Sequence, residues 1–242
     1  MKFLFETGDV LTQEKWFAEQ SVENPRTDIL RIHPEFMQNN RLVLDKKFVP
    51  LGTVQFCANY MNHMNVGTNT TPLDYPYALR KYLGREVRFD YANTARLTDY
   101  IKPRVTKEFT CAPRVEVEKI ITLTSEKMVW ISEPISIGQE YRIYILNGEV
   151  VGYSRYDDLE EKDILPDWNV VDNMIKDFND APVSYTLDVG ISDRKTILVE
   201  VNDMWATGFY PWGTMTGKMY LECIKSRWFE IMGIRKRGYL IK

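Results

Sequence analysis

The run from Gly138 to Asp157, GQEYRIYILNGEVVGYSRYD, admits few folds. Two alternating segments meet at Asn147-Gly148, a dipeptide that accepts positive φ at both turn positions and so closes a two-residue hairpin. Successive side chains on a strand point to opposite faces, so Arg142 and Tyr144 face one way and Tyr141 and Ile143 the other. Two more strand-like runs follow, VSYTLDVGI (183–191) and KTILVEVND (195–203), around a Ser-Asp-Arg turn. In the second, Glu200 and Asn202 share one face, and Val199 and Val201 share the other. An E-x-N triplet on its own is most often a polar strand end capping a turn. Two oxygen donors aimed into one space also suit Mg²⁺, which takes carboxylates and other hard oxygen ligands.

Upstream, RLVLDKKFVPLGTVQFCANYMNHM (41–64) reads as two short strands followed by a Gly52-Thr53 turn. The turn opens a helix with Val54, Cys57, Ala58 and Met61 on one face, a βα unit of the kind that builds open α/β sheets. The stretch VGTNTTPLDYPYAL (66–79) is rich in Thr, Asn and Pro and reads as a linker and a domain boundary. Within 80–135, YIKPRVTKEFT, VEVEKIITL and KMVWISEPI carry strand signals. Val170, Val171, Met174, Ile175 and Phe178 recur at helical spacing and predict a helix over 168–179. The chain closes with a helix and a basic tail bearing Arg235, Lys236 and Arg237.

A length of 242 residues with 44% hydrophobic and 13% aromatic content is enough for a sizeable core. The net charge of −3 argues against wholesale nucleic-acid or membrane binding. No stretch approaches the ~18 apolar residues of a membrane span, and the opening MKFLFETGDVL lacks the continuous apolar segment of a signal peptide. Cys57, Cys111 and Cys223 are odd in number and far apart, which makes a reducing cytoplasm the default expectation. With only His33 and His63, histidine-based metal sites and Ser-His-Asp triads are poorly supplied.

The polar residues on the strand-like runs form a set. Lys102 and Lys107 lie on and beside one strand, Glu140, Arg142 and Arg155 on the hairpin, and Asp188, Glu200 and Asn202 on the last two strands. Cations and oxygen ligands on successive strands are what a polyphosphate with its magnesium requires.

In this set the sequence resembles the ATP-grasp superfamily, in particular its RimK-like branch and the R2K clade often found in phage genomes. YIKPRVTKEF resembles the lysine-bearing strand and phosphate loop (Lys102, Lys107). VWISEPISIGQEYRIYI resembles the adenine hinge followed by an acid-x-Arg pattern (Glu140, Arg142). GYSRYD supplies a second arginine, Arg155, and YTLDVGISDRKTILVEVND carries the family's Asp and Glu-x-Asn (Asp188, Glu200, Asn202). No long glycine-rich loop separates the first lysine from the hinge, a departure that weakens the assignment of Lys107.

The resemblance implies an α+β chain whose N-terminal lobe is α/β. It comprises a pre-ATP-grasp-like domain at 1–78, a central lobe with the hinge at 79–135 and a C-terminal lobe with the metal site at 136–242. It implies an ATP-dependent carboxylate-amine ligase working through an acylphosphate, with ATP and Mg²⁺, a carboxylate substrate and an amine acceptor, in the cytoplasm (the host's, for a phage protein). Asp188, Glu200 and Asn202 would hold Mg²⁺. Lys102, Arg142 and Arg155 would be catalytic, with Lys102 also binding phosphate. Lys107, Ser132, Glu133, Pro134, Ile135 and Glu140 would contact the nucleotide. Trp205, Phe209, Tyr210 and Trp212 are candidates for an acceptor pocket, with core packing an equal reading. Two other classes stay open: a nucleotide-binding regulatory protein without turnover, and a nucleic-acid-associated factor using the basic tail.

Overall fold

The computed structural model describes residues 1–38, 44–66, 72–104, 108–157 and 163–234. Lys107, the basic tail and most of the first strand expected within 41–51 lie outside the described residues.

The apolar run β1 (Lys2–Glu6) leads through α1 (Thr12–Ser21) and α2 (Pro25–Asp28) to β2 (Ile29–Ile32), and β3 (Phe48–Leu51) follows. These strands pair in parallel with β1 in the centre, in the order β2-β1-β3. The expected turn at Gly52-Thr53 starts α3 (Val54–His63), with the Thr53 hydroxyl accepting the Phe56 N–H as N-cap. Its buried face is Phe56, Cys57, Tyr60 and Met61 rather than the expected set with Val54 and Ala58.

A second sheet, antiparallel, contains β4 (Val87–Tyr91), β5 (Tyr100–Pro103), β6 (Ala112–Pro113) and β7 (Met128–Ser132) in the order β4-β7-β5-β6. The strand expected at VEVEKIITL is instead the one-turn helix α4 (Arg114–Val117) and the turns after it. Only Val117 of the alternating valines is buried. The charged residues between them pair along the helix, Arg114 with Glu118 and Lys119 with Glu116, and these local pairs override β-branched propensity.

The third sheet contains β8 (Glu140–Leu146), β9 (Glu149–Arg155), β10 (Ser184–Ser192) and β11 (Lys195–Asp203) in the order β11-β10-β8-β9. Helix α5 (Trp168–Asp177) packs on it, and α6 (Gly217–Ile231) closes the described chain. Both hairpins turn through two left-handed residues, Asn147 and Gly148 at φ 53° and 78° and Asp193 and Arg194 at φ 47° and 63°. Each hairpin also contains a bulge. Leu146 pairs with Glu149 and Ile145 with Val150, but Tyr144 pairs with Gly152. In the other, Val189 pairs with Leu198 and Asp188 with Glu200, which leaves Val199 as the extra residue.

Two faces of the third sheet do different work. Tyr141, Ile143, Leu187 and Val201 point into a core with α5, and Tyr75, Leu79 and Leu83 join them there. The segment expected to be a linker is therefore partly core, and Asp74 pairs with Val201 as an isolated bridge. Helix α6 packs into the first sheet's core, where Trp228 stacks on Tyr60 at 5.1 Å. Among the described residues no helix is long and apolar enough to cross a membrane.

Candidate functional site

A cavity of about 470 Å³ opens between the second and third sheets, lined among others by Tyr75, Ser132, Glu140, Arg142, Asp188 and Glu200. The bulge in β10–β11 creates its polar wall. It places Glu200 directly opposite Asp188, so both carboxylates and Asn202 project from one face. The same bulge turns Val199 into the cleft instead of the expected core face. The Asn202 amide donates to Asp188 Oδ2 and to Glu200 Oε1, each at 3.0 Å.

Cations from neighbouring strands meet these carboxylates. Arg142 grips Asp188 side-on, Nε to Oδ1 at 2.9 Å and Nη2 to Oδ2 at 2.7 Å. Lys102 donates to Glu200 Oε2 at 2.6 Å and also to Asp74. Burial works against the Lys102 charge, but the Glu200 and Asp74 carboxylates outweigh it and hold its pKa above the ordinary value. Burial likewise opposes the Glu200 charge, and Lys102 overcomes it, lowering the Glu200 pKa. Asp74 is almost wholly buried, accepts the Trp130 Nε1–H at 2.8 Å, and comes from the stretch expected to be a linker. Nothing in the local sequence marks it out, because its partners lie on three distant strands.

The other bulge decides which hairpin residues reach the cleft. With an uninterrupted two-residue hairpin Arg155 would face Glu140, on the Arg142 side. The bulge shifts the pairing by one, so that Arg155 pairs with Tyr141 and Ser154 with Arg142. The guanidinium of Arg155, expected to be catalytic, is engaged by Asp157 and Asp163, and Arg155 is not among the described walls of the cleft. Tyr156 takes that place. Its hydroxyl donates to Glu140 Oε2 at 2.5 Å, and its ring stacks on Tyr210 at 5.6 Å. The Arg142 guanidinium lies 5.5 Å from the Tyr156 ring centre and 5.0 Å from that of Tyr210.

At the hinge, Ser132, Glu133 and Ile135 line the cavity, whereas Pro134 is not among its walls. The Glu133 backbone N–H donates to the Glu86 carbonyl at 3.1 Å. Arg85, unmarked by any motif, donates to the Ser132 hydroxyl and to the Leu198 and Val199 carbonyls of β11 at 2.8–3.0 Å. Of the aromatic candidates, Trp205 and Tyr210 line a second cavity, Phe209 is core, and Trp212 is exposed.

Asp188, Glu200 and Asn202 share one face and are of the residue types that hold a hard divalent cation, with the unpartnered buried Thr186 hydroxyl two residues before Asp188. In this structure their carboxylates accept from Arg142, Lys102 and the Asn202 amide N–H, and no three His, Cys, Asp or Glu among the described residues are grouped as a metal site.

Two sheets enclosing a cleft beside a small parallel sheet make up the fold of the ATP-grasp class of proteins. Residues 82–217 match the ATP-grasp domain, R2K clade family 2, and the chain belongs to that family. The fold is shared with D-alanine–D-alanine ligase of Bacillus anthracis, at a TM-score of 0.60 and 11% identity over 96% of this chain and 99% of that one. It is also shared with the ATP-grasp ligase PsnB in complex with a minimal precursor, at a TM-score of 0.55 and 12% identity over 93% and 98% of the two chains. No curated protein sequence matches the chain.

Proposed function

We propose that the chain is an ATP-dependent ligase that joins a carboxylate to an amine through an acylphosphate. The observation that carries this reading is the place of Arg142. It is the one residue lining both the cleft of about 470 Å³ and the second cavity of about 460 Å³, among the described residues. A phosphate end approaching from one side and a carboxylate from the other would meet at its guanidinium.

Asp188, Glu200 and Asn202 would hold Mg²⁺, which when bound neutralises phosphate charge. Lys102 would serve the α or β phosphate oxygens as a point charge. The edge around Ser132 to Ile135 would receive the adenine, with Glu140 and Glu133 near the ribose. In the first step a carboxylate oxygen bonds to the γ-phosphorus as the bond to the β,γ-bridging oxygen breaks, and ADP leaves with that electron pair. In the second, the amine nitrogen bonds to the acyl carbon and phosphate departs, the amine proton passing to phosphate or solvent. The physical task is to bring two anions together, and the arginine and lysine already fixed in the cleft meet it by preorganised charge. PsnB, which shares the fold, is described with the precursor peptide PsnA2, and a peptide is one substrate class this chain could serve.

The test is ADP release from MgATP in the presence of carboxylic acids, with hydroxylamine as the amine. Acid-dependent ADP with matching hydroxamate, lost in Asp188→Asn, is the expected result. Binding of MgATP with no ADP from any acid and amine would instead favour a regulatory nucleotide-binding protein.

A further inference from the structure

Side chains from four elements converge on the short loop 207–210 that follows β11. The Tyr220 hydroxyl of α6 donates to the Thr207 carbonyl at 2.9 Å, Glu14 of α1 accepts the Phe209 N–H at 3.1 Å, and the Ser154 hydroxyl of β9 donates to the Tyr210 carbonyl at 2.6 Å. The Tyr144 hydroxyl of β8 serves the loop twice, donating to the Gly208 carbonyl at 3.1 Å and accepting the Tyr210 N–H at 3.2 Å. Water could satisfy these backbone groups on an open loop; here buried side chains do so and fix the course of the chain.

Both holds on Tyr210 come from immediate neighbours of Arg142. Tyr144 is two residues beyond Arg142 on the same face of β8, and Ser154 is the cross-strand partner of Arg142 on β9. The Tyr210 ring is thereby set 5.0 Å from the guanidinium. Asp188 grips one edge of that guanidinium, and the Tyr210 and Tyr156 rings, stacked on each other, pack against it. A planar fork recognises an oxygen pair along its own plane. Whatever fixes that plane therefore fixes the direction in which the edge turned away from Asp188 can bind.

To donate and accept at once, the Tyr144 phenol must be neutral, and burial, which raises its pKa, keeps it so. Glu14 brings in the first lobe. Three residues further along α1, Phe17 meets the Phe209 ring at 5.3 Å and lies against Gly217, where a side chain would have no room.

We infer that Tyr144 and Glu14 are positioning residues: they hold the 207–210 loop so that Tyr210 keeps the Arg142 guanidinium in its working plane. The inference rests on the ligase reading for what Arg142 does, whereas the hold on its guanidinium stands by itself.

The experiment compares Tyr144→Phe with Tyr60→Phe. The second removes an equally buried hydroxyl from the first sheet's core, one that donates to the Asp45 carbonyl at 2.7 Å and does not touch the loop. Solvent exchange of the Arg142 Nε–H, followed by NMR and assigned with Arg142→Lys, is expected to be at least about tenfold faster in Tyr144→Phe and unchanged in Tyr60→Phe. Acid-dependent ADP release is expected to fall about tenfold in kcat in Tyr144→Phe, with KM for MgATP unchanged, as misplacement of a reacting group does. Thermal stabilisation by MgADP is the control for folding. Glu14→Gln keeps an acceptor for the Phe209 N–H and is expected to behave as the native chain, whereas Glu14→Ala follows Tyr144→Phe. The inference is overturned by Nε–H exchange no faster in Tyr144→Phe, by equal losses in both Phe variants, or by Glu14→Gln losing as much as Glu14→Ala. Faster exchange in a chain whose native form releases no ADP with any acid sinks the ligase reading and keeps the hold on Arg142. A fall in ADP release with exchange unchanged does the reverse.

Discussion

Lys102 is shared by two carboxylates that reach it from different parts of the chain, and one of them, Glu200, is also a candidate metal ligand. A cation drawn to Glu200 leaves Asp74 to hold the ammonium in the cleft. Asp74 adopts φ 45°, in the left-handed region that Asp tolerates better than most residues, so its side chain is set by an uncommon backbone. Asp74→Asn is expected to weaken MgATP binding about tenfold, and to have no further effect when Lys102 is already Met, since residues acting through one another are not additive. Equal losses in both backgrounds, measured by titration, would mean that Asp74 only supports the fold. Glu200→Gln tests the proposed metal ligands. A hundredfold excess of MgATP over its dissociation constant adds about 2.7 kcal/mol to a binding-competent protein, several degrees of melting temperature. That shift is expected for the native chain and not for Glu200→Gln, while ATP without magnesium stabilises both only weakly. An undiminished shift in the variant removes Glu200 from the metal site.

At the scale of elements, the strands of the third sheet were legible and their register was not. The Asn147-Gly148 turn follows from turn chemistry, and the segments around it and the two strands ending at Asp203 from strand patterning. A bulge leaves no such mark. Its single extra residue reverses the face of everything beyond it, and which residue is extra depends on packing against other elements. Thus Glu200 and Asn202 were readable as neighbours on one strand, but their meeting with Asp188 depends on the bulge at Val199. In the other hairpin the bulge pairs Arg155 with Tyr141 instead of Glu140 and so takes it off the Arg142 face, a shift that the resemblance carrying the Arg155 assignment does not contain. Helix α4 escaped notice because its valines alternate with charged residues whose pairing is visible only once the turn is formed. The hairpin bulge has a direct test. Tyr156→Ala removes the ring beside Arg142 and the donor to Glu140, and, with Arg142 in its proposed role, is expected to reduce MgATP turnover at least about tenfold through loss of the group that orients it. Arg155→Met is expected to change turnover less than Tyr156→Ala. The opposite order would show that the register of β9 in solution is the uninterrupted one.

Across the whole molecule, the cleft depends on how the second and third sheets are joined, and, alongside the Lys102–Glu200 pair, Arg85 joins them. From the segment before β4 it reaches Ser132 at the end of β7 and two carbonyls of β11. Arg85→Ala leaves those carbonyls without their charged donor and is expected to lower unfolding free energy in urea by about 2 kcal/mol, the scale of hydrogen bonds to charged groups. The cleft also contains its own reporter of closure. Cys57 and Cys223 are buried, and burial pushes their thiols up to about 12 and about 11. Cys111 is an exposed residue at the mouth of the cleft beside Glu200 and Tyr75; the surrounding cleft walls partly desolvate its thiol and, against the nearby Lys102, raise its pKa as well, but the open side leaves the sulfur reachable. A thiolate rather than a thiol is the nucleophile, so alkylation at neutral pH is slow and selective for the accessible sulfur. Iodoacetamide is therefore expected to modify Cys111 alone in the folded chain, and MgATP to slow that modification several-fold by filling the space in front of it. Equal labelling rates with and without MgATP, in a chain whose melting temperature MgATP raises, would place the nucleotide elsewhere than between these two sheets.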